Sequence, residues 1–203
     1  LSFVLKLESH KNKPLFNDDT KEELYVTQEM QCVLKAQFLL VLYNLVESTV
    51  NDCLNALYDA VFDDNLTYFS LSDDMRKMWR SHMKRRNHPS FDKPDDEIMT
   101  MKIKFEELAV NISGSLDIRK IFEIFQKHGC PLDDKDRGEF SNSFLIVKNR
   151  RNMLAHGNIS FSQCGACYML TDLERFKNHI ITFMQMVTTT MKQHISDHKY
   201  KRY

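Results

Sequence analysis

The sequence predicts an all-α fold, a helical bundle with a long early helix, a long final helix and a small helical insertion in the middle. Three observations predict it. Only 5 Gly and 4 Pro punctuate 203 residues, too few for the many tight turns of a β-sandwich or barrel. Neither residue occurs between Glu22 and about Phe62, where apolar side chains recur at spacings of three and four. The last third carries a second such stripe, Leu173, Phe176, Ile180, Phe183, Val187 and Met191. The chain reads as one domain over 1–203, with the insertion at approximately 65–135.

The first long helix is expected to start near Lys21, after a short apolar start and an N-cap in Asp18-Asp19-Thr20. Its stripe runs Leu34, Phe38, Val41, Leu45, Thr49, Cys53. Leu42, Val46, Val50, Leu54 and Leu57 widen the arc well beyond the roughly 100° of a surface helix, so it is expected to be covered on two sides, by its own bundle or by a second subunit. Ser72-Asp73-Asp74 caps a short helix with Met75, Met78 and Trp79, which runs into Lys84-Arg85-Arg86 and stops around Pro89. Two helices follow, Asp96 to Val110 and Asp117 to His128, the second closed by Gly129 and Pro131. Asp133 to Asp136 reads as a solvated charged loop. A helix over Glu139 to Ala155, a loop over 157–170 and a capping box in Thr171-Asp172-Leu173-Glu174 lead into the final helix.

Composition narrows the function. With 28 basic against 28 acidic side chains there is no global field for nucleic acid or an anionic membrane, so any phosphate binding must be local. Five cysteines, an odd number in a chain large enough to fold without staples, suggest reduced thiols and a cytoplasmic protein. No apolar run approaches the ~18 residues of a spanning helix, so no membrane partner is expected. Cys164 and Cys167 form a single C-x-x-C without the second pair a structural zinc needs. His194 and His198, at i and i+4, lack an accompanying acid, and no cofactor or metal is expected.

One segment can carry chemistry. On the helix ending near Ala155, Phe140, Phe144, Val147 and Leu154 share a stripe, and Arg151 falls in its middle. A guanidinium there must reach out along its stem, pair with an acid, or line a groove or subunit interface. Asn152 and His156 project together on another face, roughly 100 to 140° away. One helix therefore does not readily aim all three at one atom, whereas two copies about a two-fold axis can. Good capping is the competing account: cations complement the dipole at a helix C-terminus and Gly157 suits the position after it. That account explains His156 and Gly157 but requires no arginine on the apolar stripe.

Arg151-Asn152-Met153-Leu154-Ala155-His156, an arginine followed by a polar residue and then a histidine after four intervening positions, resembles the signature of the HEPN superfamily, the "higher eukaryotes and prokaryotes nucleotide-binding" domain. The layout is similar to a prokaryotic, MAE-like branch over most of the chain. The resemblance implies an all-α bundle, often dimeric, and a metal-independent endoribonuclease of toxin–antitoxin or antiphage defence systems. Carried over, it makes Arg151 and His156 the catalytic pair and Asn152 the accompanying polar position, with Arg150 meeting the looser spacing. Glu47, on the early helix near Tyr43, is a candidate supporting residue. Cleavage by attack of a ribose 2′-hydroxyl would leave a 2′,3′-cyclic phosphate. His156 would serve as proton acceptor or donor, and Arg151 would stabilise charge on the phosphoryl oxygens. The expected partners are RNA, a second copy completing a composite site, and an antitoxin or defence protein. The alternative is a catalytically silent HEPN module that dimerises, docks on a partner or binds a nucleotide.

Overall fold

The computed structural model describes residues 26–89, 92–105, 110, 112, 116–134 and 137–202. Seven α-helices are described: α1 Gln28–Asp63, α2 Asp73–Arg85, α3 Asp95–Ile98, α4 Ile118–Lys127, α5 Arg137–Ala155, α6 Phe161–Ala166 and α7 Leu170–Ser196. Among the described residues there is no β-strand, only the isolated bridges Thr67↔Lys102 and Leu71↔Lys201.

Helix α1 begins at Gln28 rather than near Lys21. Thr27 Oγ1 accepts from the Met30 N–H at 3.1 Å and so caps the first turn. The proposed cap at Asp18-Asp19-Thr20 and the apolar start lie outside the described residues. Ser72 and Asp117 cap α2 and α4 as expected, accepting from the backbone N–H of Met75 and Lys120. Of the helix expected from Asp96 to Val110, the described residues up to Phe105 are helical only in α3, and residues 106–109 lie outside the described residues. Beyond it the chain extends along residues 66–69, with Tyr68 N–H donating to Met101 O at 2.9 Å and Ile103 N–H to Leu66 O at 2.9 Å. That pairing takes backbone groups a longer helix would have used.

Five helix ends share one closure. Asn65, Asn87, Gly129, Gly157 and His198 all have φ between 51° and 71°. After each, the next residue's N–H bonds back to the carbonyl five positions earlier, as in Asn158 N–H to Met153 O at 2.9 Å and Lys199 N–H to His194 O at 3.1 Å. This is the Schellman arrangement, which satisfies carbonyls otherwise orphaned at a helix end. It also ends α7 at Ser196, so His194 and His198 do not share a helical face.

The chain divides into two units, 1–45 with 139–181 and 46–138 with 182–203, and α1 and α7 each supply residues to both. The first unit buries Ala36, Leu39, Leu42 and Tyr43 of α1, Phe140, Phe144 and Val147 of α5, and Leu173, Phe176 and Ile180 of α7. The second buries Val46, Val50, Leu54 and Leu57 with Trp79, Ile121, Phe125, Phe183, Val187 and Met191. The residues that widened the apolar arc of α1 are thus the core ones, while Val41 and Leu45 of the first stripe are 61% and 38% exposed. By length and composition α1 is apolar enough to cross a membrane, contrary to expectation. Its apolar content has a packing explanation, because the same helix furnishes core side chains to both units.

Candidate functional site

The motif lies in the first unit, at the C-terminal end of α5. Phe140, Phe144, Val147 and Leu154 are buried as their stripe predicts. Arg151 in the same stripe is half-buried, and its guanidinium carbon sits 4.9 Å from the centroid of the Tyr43 ring. Tyr43 is 1% exposed and fixed in α1. The ring answers the question an arginine in an apolar stripe poses, since an aromatic face accepts a cation while its stem packs against apolar neighbours.

The angular separation between Arg151 and Asn152 is bridged by the arginine's length: Arg151 Nη1 donates to Asn152 Oδ1 at 3.2 Å. The amide thus orients the fork. His156 stands where the helix closes, its backbone N–H donating to Asn152 O at 3.0 Å and its side chain exposed. Gly157 at φ 69° permits the left-handed turn that follows. The Arg151 side chain contacts both Tyr43 and Asn152.

Arg150 is engaged elsewhere. Its Nε donates to the Tyr168 hydroxyl at 2.6 Å, and Lys35 Nζ donates to Tyr168 O at 3.3 Å. Two consecutive arginines therefore rest on two different tyrosines, Arg150 on Tyr168 and Arg151 on Tyr43. Glu47 follows Tyr43 by one turn of α1, is half-buried, and belongs to the stretch of that helix in the second unit.

Tyr168 is placed by α6, in what the sequence suggested was a loop. Ser160 and Gln163 form a reciprocal capping box that starts this helix. Gly165 lets it approach α1: a Cβ there would lie 1.8 Å from Cys32 O. The box expected at Thr171 to Glu174 is displaced by two residues, with Asp172 Oδ2 accepting from Met169 N–H at 3.1 Å and α7 starting at Leu170. Within the C-x-x-C, Cys164 is buried and burial raises its thiol pKa, while Cys167 is exposed and donates to Gln163 O. Among the described residues no group of three or more His, Cys, Asp or Glu side chains is arranged to hold a metal ion.

Tyr43 and Tyr168 are the site residues that sequence reasoning missed. A tyrosine beside Leu42 and Val46 in the apolar arc of α1 was a legible signal for the first. The second depends on α6, whose cap at Ser160 and Gln163 is also written in the sequence.

The fold is the all-α fold of HEPN domains. A family model for MAE_28990-like HEPN domains matches residues 2–200, and the chain belongs to that family. HEPN domains are generally associated with ribonuclease or nucleotide-binding activity. Neither a curated protein nor a solved structure gives a significant match.

Proposed function

We propose that the protein is a metal-independent endoribonuclease that cleaves RNA at a composite site formed by two copies of the chain. The carrying observation is the fork of Arg151, held between the Tyr43 ring and the Asn152 amide one turn from an exposed His156. A planar, pre-oriented guanidinium suits the equatorial oxygens of a phosphorane. An exposed imidazole can reach a ribose hydroxyl or a leaving oxygen. In the reaction the 2′-oxygen loses its proton to a base, bonds to phosphorus and displaces the 5′-oxygen, which takes up a proton. The products are a 2′,3′-cyclic phosphate and a 5′-hydroxyl. Two copies give one imidazole for each proton transfer and present the arginine of one beside the histidine of the other. Exposed Val41, Leu45 and Leu145, at 61%, 38% and 46%, are apolar side chains of the same unit that a second copy can cover. As its biological setting we propose toxin–antitoxin or antiphage defence, in the cytoplasm and under control of a partner protein.

The test is cleavage of total RNA and transfer RNA in the presence of EDTA, comparing the parent with His156→Ala and Arg151→Ala. Loss of cleavage in both variants, with unchanged helical circular dichroism, is the expected result. Equal cleavage by His156→Ala overturns it. A second reading, a silent dimerisation or docking module, is favoured by the engagement of Arg151 with Tyr43, which suffices to explain its retention in an apolar stripe. That reading predicts a parent protein that dimerises and cuts no RNA.

A further inference from the structure

The second unit contains a cationic cleft between the end of α2 and the extended segment after α3. It has a volume of about 300 Å³, at the small end of the range for compact ligands. Arg86, Asn87 and His88 line one side, Lys102 and Lys104 the other, and Trp79, Met83 and Met101 contribute apolar surface. No carboxylate is among the described residues lining it.

Solvated surface cations are the ordinary reading of such residues, and three features argue against it here. The cations surround a concavity instead of a convex face. Two are tethered: Lys102 Nζ donates to Asn65 Oδ1 at 3.1 Å, and Lys104 Nζ lies 5.8 Å from the centroid of the Phe62 ring. Tethering lowers the side-chain entropy lost when an anion binds. The third feature is the Schellman closure of α2 at Asn87, φ 51°, which turns the chain so that Arg86 and His88 both border the cleft. The C-terminus of α2 opposes an anion with about −0.5 of an elementary charge, against the two full charges of Lys102 and Lys104, whose partners Asn65 and Phe62 are neutral. The balance is positive.

We infer that this cleft binds a phosphate group, either a free phosphate ligand or a phosphodiester link of an RNA strand. Trp79 is 1% exposed, so contact with a base is confined to its edge and to the methionines, and the ligand is recognised by charge rather than by stacking. The inference stands apart from cleavage at the motif.

Trp79 is the single tryptophan of the chain and borders the cleft, so its fluorescence is followed together with isothermal titration calorimetry, which registers binding that leaves the buried ring unperturbed. The experiment titrates the full-length His156→Ala protein, in which RNA is expected to stay intact, with inorganic pyrophosphate and separately with a short single-stranded RNA. A saturable change weakened by salt supports the site. Saturation by pyrophosphate alone assigns a free phosphate ligand, and tighter binding of the RNA assigns a strand. The Lys102→Gln/Lys104→Gln variant should lose at least tenfold in affinity, its salt slope for RNA falling by roughly 0.7 per lysine, while Lys102→Arg/Lys104→Arg binds as the parent does. No saturable change with either ligand, or one unaltered in the glutamine variant, overturns the inference. Failure of the parent to cut RNA overturns the ribonuclease reading and leaves this titration readable.

Discussion

The Arg151 guanidinium lies over the ring of Tyr43, 4.9 Å from its centroid, and hydrogen-bonds to the neighbouring Asn152. A lysine keeps the charge but loses the plane and the fork. Arg151→Lys is therefore expected to lower RNA cleavage at least tenfold while costing only about 1 kcal/mol of stability, the scale of a cation–π contact. Single-turnover cleavage and thermal denaturation check the two effects separately. Full activity in the lysine variant contradicts the role given to the fork.

Gly165 is required by space. Its missing Cβ would stand 1.8 Å from Cys32 O, a backbone atom that cannot swing aside. Gly165→Ala should destabilise the protein by at least about 3 kcal/mol, because α6 must move off α1. Denaturant unfolding measures the loss, and an alanine variant within ~1 kcal/mol of the parent contradicts the close approach.

Gly157 is required by conformation alone, since nothing lies within 4 Å of where its Cβ would be. Gly157→Ala should cost about 1 kcal/mol, the penalty of a left-handed φ, and should fray the turn that presents His156. Thermal melting gives the first effect. Hydrogen exchange at the Asn158 amide, which bonds to Met153 O, gives the second.

Acid sensitivity is expected in the second unit. His128 is buried, donating from Nδ1 to Ile124 O and accepting at Nε2 from the Tyr58 hydroxyl, and burial lowers its pKa from 6.5 to about 4. The unfolded chain thus binds the proton more readily between these values. The contribution is complete above about pH 6.5 and is lost as pH falls toward 4. At 1.36 kcal/mol per pH unit it amounts to about 3 kcal/mol. His194, whose pKa is also lowered by burial, adds in the same direction. His128→Gln, which can still accept from Tyr58, should flatten the dependence of urea unfolding on pH over this window. An unchanged slope excludes His128 as its origin.

Much of this was legible in one dimension. The stripes of α5 and α7, the caps at Ser72 and Asp117, and the stops at Gly129 and Gly157 are local signals written within a turn or two. Other features were hidden for a physical reason. Asn65, Asn87 and His198 adopt the same left-handed closure as the glycines, at a cost too small for sequence to exclude them elsewhere. The start of α7 slipped by two residues because Asp172 serves Met169 from within the helix, a choice local spacing leaves open. Residues 99–103 read as helix but pair with 66–69, a long-range competition for backbone hydrogen bonds.

The all-α class, the position of the Arg151 to His156 segment at a helix end, and the anomaly of an arginine in an apolar stripe are all set by local signals along the chain. Periodicity and capping depend only on neighbours a few residues apart. What the arginine meets is settled by packing, because Tyr43 is more than a hundred positions away and nothing local links it to α5. The same holds for Arg150 and Tyr168, whose pairing depends on Gly165 letting α6 close on α1.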